Sequence, residues 1–214
     1  GFVLDFVARR PLSGMSPSAA GVPVGPDGQP TVEPAAPAEP PRPVRYRSDT
    51  GIDVAVDPAA VRAVVRIDLA IHDAPLESFD LDPLAGWELV KALLDGTDEP
   101  LRVEPVDGRL SVRFPYPVEE RAGVTLLLEQ PNERKLEVVA APTINVHGAY
   151  RQEGSIGFRM DSTIEGSPGR VEGGGPADPG ELRLPGGAVA QVAFRFHKVP
   201  YAIEMALRYH EPRA

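Results

Sequence analysis

The chain has 214 residues, with 31 acidic against 22 basic side chains, a net charge of −9, no cysteine, 25 prolines and 21 glycines. The acidic balance, with no basic stripe, argues against a nucleic-acid partner, and the missing cysteine excludes disulfides, Cys-ligated zinc and thiol catalysis. No apolar run approaches the roughly 18 residues of a membrane-spanning helix, so no membrane span is expected in this segment.

Gly1-Phe2-Val3-Leu4 already starts inside a strand-like pattern, as in a piece of a longer chain. Residues 1–10 place Phe2, Leu4 and Phe6 on one side of an isolated β-strand, which belongs either to the chain's own sheet or to a neighbouring domain. Leu4-Asp5-Phe6-Val7-Ala8-Arg9 parallels Ile203-Glu204-Met205-Ala206-Leu207-Arg208, as a tandem array of similar domains would; any two half-buried strands also share this pattern. Residues 11–43 are rich in Pro, Gly, Ala and Ser and end in Pro40-Pro41-Arg42-Pro43. They lack the apolar surface needed to offset ordering entropy and read as a linker or long exposed loop.

The globular part is expected over residues 44–214. Ile52 to Asp57 alternates in polarity, and Val65-Arg66-Ile67-Asp68-Leu69-Ala70-Ile71-His72 does so more strongly, with an aliphatic face and a charged one. Residues 83–96 stay open between two readings. Asp82, Pro83 and Gly96 satisfy helix-boundary rules, while Gly86 and the β-rich surroundings favour a strand from Trp87. Asp107-Gly108 predicts a hairpin turn between Val103 and Phe114, with Pro105 placing its first strand at an edge. Residues 166–180, dense in Gly and Pro, read as a mobile loop. Val192, Phe194 and Phe196 share one face of a strand, and so do Tyr201, Ile203, Met205, Leu207 and Tyr209; the short Val199-Pro200 link predicts that the two pair as a hairpin. Turn signals every 8 to 15 residues, with at most one short helix, predict an all-β fold, an antiparallel β-sandwich with a long Pro/Gly-rich loop or linker.

Gly86-Trp87, Asp107-Gly108-Arg109-Leu110-Ser111-Val112, Val124-Thr125-Leu126-Leu127-Leu128-Glu129 and Tyr150-Arg151-Gln152-Glu153-Gly154 together resemble β-rich extracytoplasmic segments of large, poorly characterised bacterial envelope proteins. The resemblance covers roughly residues 60–160 and implies an exported bacterial setting: periplasmic, cell-surface or secreted. It carries no catalytic residue across.

Chemistry is sparse. His72, His147, His197 and His210 show no metal-ligand spacing. Glu165-Gly166-Ser167-Pro168-Gly169 only imitates a nucleophile elbow, with Glu in place of the first Gly and Pro removing an amide after the serine. Asp73, Glu77, Asp80 and Asp82 are candidate calcium ligands by their density near a turn, although Asp80 and Asp82 alternate with Phe79 and Leu81 as a solvated strand face does. Glu153 and Glu129 are a conceivable carboxylate pair that nothing in the sequence brings together. Trp87, Tyr116 and Tyr150 are candidate ligand-binding aromatics for a sugar-stacking platform, with Tyr201 and Tyr209 beside them. No cofactor motif and no catalytic group is assigned. The expected role is a non-catalytic structural or interaction module of a larger exported bacterial protein, with a protein partner or neighbouring domains of the same chain. The alternative is a carbohydrate-binding or accessory module of a secreted enzyme.

Overall fold

The computed structural model describes residues 43–210 except residues 98, 133–135, 183 and 188. The chain divides into two units, Gly1–Pro41 and Arg42–Ala214, and all described residues belong to the second. The strand expected over residues 1–10 and nearly all of the expected linker lie outside the described residues.

Three sheets make up the described part. The largest has seven strands in the order β12 (Gly174–Ala177), β13 (Val192–Phe196), β10 (Ala149–Met160), β1 (Arg45–Val56), β2 (Ala60–His72), β7 (Arg121–Pro131) and β4 (Glu88–Leu94). A four-stranded sheet runs β5 (Arg102–Val106), β6 (Arg109–Val118), β3 (Leu76–Leu81), β9 (Val146–His147), and a three-stranded sheet runs β11 (Ile164–Glu172), β14 (Ala202–Tyr209), β8 (Val138–Ala140). The fold is all-β and sandwich-like; among the described residues its helical content is two short 3-10 turns, Pro179–Glu181 and Pro185–Gly187. Among the described residues no helix is long and apolar enough to cross a membrane.

Alternation builds the core. On β2, Val61, Ala63, Val65, Ile67, Leu69 and Ile71 are buried while Arg62, Arg66 and Asp68 are exposed. These apolar residues meet Phe79 and Val112 of the four-stranded sheet and Ile203 and Met205 of the three-stranded sheet in one continuous core. One face of the large sheet is thereby covered, and its other face carries most of the polar residues.

The expected elements fare unevenly. Asp107 (φ 50) and Gly108 (φ 78) form the turn between β5 and β6, and β5, with Pro105, lies at a sheet edge. Residues 88–94 form a strand; Gly86, at φ 78, sits in a left-handed conformation that a continuing helix does not allow. The C-terminal hairpin is corrected: β13 and β14 do not pair, because β13 belongs to the seven-stranded sheet and β14 to the three-stranded one. The short connection, which holds a cis Val199-Pro200 bond, crosses between layers, and Tyr201 stacks on Phe196 with ring centroids 4.1 Å apart. Both strands bury an apolar face, which is the whole content of the alternation signal.

A second correction concerns residues 166–180, which hold β11 and β12 rather than a loop. Their glycines answer to close packing. A Cβ on Gly166 would lie 2.7 Å from Met160 Cε, and one on Gly174 would lie 2.8 Å from the Arg195 carbonyl oxygen. Within the otherwise antiparallel pairing of the described strands, β1 and β10 run parallel from Tyr46↔Ala149 to Val56↔Met160. Parallel neighbours need a long crossover, and the whole segment carrying β2 to β9 supplies it.

Candidate functional site

The parallel β1–β10 pairing positions the site on the outer face of the large sheet. Asp49 of β1 stands opposite Glu153 of β10 on one side and opposite Asp68 of β2 on the other. Three carboxylates therefore lie side by side across three strands. The neighbouring outward rung is Ser155–Gly51–Arg66, whose two small residues lower the floor.

The chain between β12 and β13 supplies a wall. Asp178 accepts a hydrogen bond from the Gly180 amide (2.8 Å), and Gln191 brackets the Met160 backbone, accepting from its N–H (3.0 Å) and donating to its carbonyl (3.1 Å). Between these anchors Leu184 and Ala190 pack on Ala193 as a small separate apolar cluster. They pass so near Gly157 that a Cβ there would lie 2.2 Å from Leu184 Cδ1. Between this wall and the carboxylate row lies a cleft of about 740 Å³, within the usual size of small-ligand sites. Its wall offers the apolar Leu182, Leu184 and Pro185, and its floor is polar.

Most charges in the cleft already have partners. Arg66 pairs with Asp68 (3.2 Å) and Asp95 (3.1 Å), Arg151 with Glu153 (2.7 Å), and Arg195 with Glu181 (3.7 Å). Among the described residues Asp49 has no ion pair. Partial desolvation, followed by repulsion from Glu153 and Asp68, raises its carboxyl above the ordinary value, with Arg47 and a hydrogen bond from the Thr50 backbone opposing.

Arg195 and His197 also line a second groove of about 560 Å³, completed by Gly173–Pro176 and Lys198. The acidic cleft and this basic groove are contiguous along the outer face.

The residues singled out from sequence go elsewhere. Asp73 occupies a left-handed turn position (φ 72) after β2, Glu77 and Asp80 lie on β3, and Asp82 follows it. Among the described residues no three His, Asp or Glu side chains are grouped to hold a metal ion, so the four calcium candidates do not converge. Asp82 instead accepts a hydrogen bond from Asn145 Nδ2 (2.8 Å) and contacts His147 Nε2 (2.6 Å), which together hold its carboxyl below the ordinary value. Gln152 extends this network by donating to Asn145 Oδ1 (3.0 Å) and accepting from the Val146 amide (2.8 Å).

Glu129 and Glu153 are not brought together. Glu129 is opposite Arg62, and Arg62 opposite Ala55, whereas Glu153 is opposite Asp49, so β7 and β10 hold them three strands apart and displaced along the strands. Trp87 is half-buried against the core. Tyr116 (54% exposed) and Tyr150 (53% exposed) stand on different sheets, and Tyr150 already has the Arg45 guanidinium over its ring at 5.3 Å. Tyr201 is buried at 4% exposure; its hydroxyl donates to the Pro142 carbonyl (2.8 Å) and accepts from the Ile144 amide (3.1 Å), and burial pushes its pKa upward. Tyr209 hydrogen-bonds with Asn132. The candidate aromatics thus form no shared platform. What sequence reasoning missed is the Asp49–Asp68–Glu153 row: Asp49↔Asp68 follows from the register of the β1–β2 hairpin, and Glu153 is set beside Asp49 by pairing with a strand about a hundred residues away.

The sequence matches no known protein family and no curated protein. Solved structures give partial likenesses. A two-domain M1 zinc metallopeptidase variant bound to L-tryptophan is 11% identical, with a TM-score of 0.45, covering 77% of this chain and 43% of its own. An M1 zinc metallopeptidase variant from Deinococcus radiodurans, bound to a Tyr-Ser-Ala substrate, is 10% identical with a TM-score of 0.44, covering 76% of this chain and 42% of its own. This chain thus spans less than half the length of those proteins. A likeness of this degree carries no argument about what the chain does.

Proposed function

We propose that the domain is a non-catalytic interaction module of a larger exported bacterial protein. Its outer-face cleft receives a Lys or Arg side chain from a protein partner or a neighbouring domain. The observation that carries this reading is Asp49, which among the described residues is an acid without an ion pair and stands between two cross-strand acids. Like charges directly opposite one another weaken a sheet, so the row costs stability that a docked cation would restore. The apolar wall of Leu182, Leu184 and Pro185 suits the methylene stem of a long basic side chain, whose charged head then reaches Asp49. The other acids of the cleft are held by Arg66, Arg151 and Arg195, which favours docking over a free acid–base pair. The exported setting rests on the sequence resemblance alone; protease accessibility of the parent protein in intact cells tests it.

Fluorescence anisotropy with a labelled, end-capped hexapeptide carrying one lysine tests the docking. We expect binding that weakens with added salt and on the order of tenfold on Asp49→Asn, as for a partly desolvated charge pair. Equal binding by the native protein and the Asp49→Asn variant, or none by either, rejects the reading.

A further inference from the structure

We infer that residues 178–191 form a lid on the outer face of the large sheet: the segment lifts as one unit while the sheet beneath keeps its fold, so the cleft alternates between a walled state and an open one. This goes beyond the docking role proposed for Asp49 and does not depend on it.

The two ends of the segment are held together. Ala177 of β12 is opposite Ala193 of β13, so the chain leaves the sheet and rejoins it at neighbouring positions, roughly 5 Å apart. A surface segment with joined ends, packed by its own side chains, is an Ω-loop, and it lifts without changing the register of either flanking strand. Hydrogen bonds tie its two ends. Asp178 caps the first turn, and Gln191 is fastened to β10 by its amide, which donates to the Phe158 carbonyl (2.9 Å), and by its side chain on Met160. Between these ties Pro185–Gly187 reaches over β1 and β2, and Leu184 and Ala190 seat the segment on Gly157 by apolar contact. With Ala193 these two residues form a cluster separate from the main core.

The surface beneath the segment tolerates being uncovered. Val64, Asp53, Gly157 and Ala193 share one outward rung, in which only Val64 is a large apolar residue. Asp53 is 3% exposed although it faces outward, and both of its carboxylate oxygens are already bonded to Arg159 (2.9 and 2.6 Å). Lifting the segment therefore strands no polar group at Asp53. The main core lies on the opposite face of the sheet and stays covered, so the apolar surface laid open is chiefly that of the small cluster. A contact set bounded in this way opens at lower free energy than the whole fold.

The chain has no cysteine, so single introduced thiols report the opening without background. Ala193→Cys places one beneath the lid, and Val54→Cys places one in the main core. With a water-soluble thiol reagent, Ala193→Cys should be labelled about a hundredfold faster than Val54→Cys. Urea below the unfolding transition should accelerate the core thiol far more steeply, because only global unfolding exposes a large area. Leu184→Ala should speed labelling at Ala193→Cys about tenfold, since it weakens the closed seat. Ile67→Val, in the main core, should speed labelling at Val54→Cys about fivefold and leave Ala193→Cys unchanged, because that core stays covered when the lid is open. Equal rates and equal urea dependence of the two thiols overturn the inference, as does acceleration of both by Ile67→Val; the segment would then open only with the whole fold. Labelling of Ala193→Cys as fast as a free thiol overturns it too, since no closed state would exist. No effect of Leu184→Ala on Ala193→Cys would show that this side chain does not seat a lid, which also overturns it.

Discussion

Asp49 and Asp53 stand on the same strand and the same outer face, and their surroundings differ completely. Asp53 is 3% exposed and is gripped by Arg159 through two bonds, Nε to Oδ1 at 2.9 Å and Nη2 to Oδ2 at 2.6 Å. Its rung neighbours are Val64 and Gly157, and the wall of the cleft packs over Gly157. Asp49, two pleat repeats further along, has acids on both sides and is exposed to solvent. One carboxylate is neutralised within the fold; among the described residues the other has no ion pair. The same residue type in the same strand is thus buried and ion-paired at one rung and, among the described residues, exposed without an ion pair at another, and the neighbouring strands decide which.

The sharpest way to break this contrast is Arg159→Ala. It strands the buried Asp53 carboxylate without its cation and is expected to cost about 3 kcal/mol, read by urea denaturation, whereas removing Arg47 near Asp49 should cost little. A loss under about 1 kcal/mol would mean that Asp53 is solvated and that the contrast is false.

Gly157→Ala should follow, at about 1 to 3 kcal/mol, because the new methyl group must push Leu184 and Ala190 away. Faster hydrogen exchange confined to residues 178–191, with peptide binding in the cleft weakened, is the expected signature. Unchanged exchange there would show that the wall does not rest on this position.

Asp49→Asn should act in the other direction. Since the folded state raises the Asp49 pKa, the native protein holds this proton more tightly than the unfolded chain, and stability falls as pH rises from the ordinary value of 3.8 through the raised one. The substitution removes that penalty, so the variant should be more stable at pH 7, by under about 1 kcal/mol because solvent screens the site, and the gain should vanish in acid. A variant less stable than the native protein at pH 7 would show that Asp49 has a structural partner.

Asp82 provides the smallest effect and the opposite sign. Hydrogen bonds from Asn145 and His147 lower its pKa, so its contribution is fully present above the ordinary carboxylate value and is lost as pH falls through the lowered one. Asp82→Asn should lose a few tenths of a kcal/mol at pH 7, as expected for a half-exposed pair, and nothing at the acid end. Thermal unfolding of both variants across pH 2 to 7 should therefore give difference curves of opposite slope.

How much of this was legible in the chain follows from the range of each signal. The alternation of Val65 to His72 foretold which side of β2 is buried and placed Asp68 outward, and the Asp107-Gly108 pair foretold its turn. Both depend on residues within one strand or one turn. The Gly/Pro density of residues 166–180 misled, because glycine serves tight packing between layers as readily as it serves loops. The C-terminal alternation misled differently: Phe194 and Met205 both face the core, yet from strands in different sheets. The calcium candidates were chosen by nearness in sequence and the sugar-platform candidates by residue type, and among the described residues neither set is gathered into a site.

Sequence by itself determined that the chain is β-rich, which faces are apolar, where the Asp107-Gly108 turn lies, and that no cysteine chemistry is available. Only the tertiary structure decided that β10 lies parallel to β1, that Asp49 falls between Asp68 and Glu153, and that the chain after β12 folds over Gly157 to wall a cleft. The reason is physical. Side-chain alternation is a property of each strand alone, with a period of two, whereas a rung is set by pairing between segments about a hundred residues apart, where hydrogen bonding and core packing of the whole sheet choose the register.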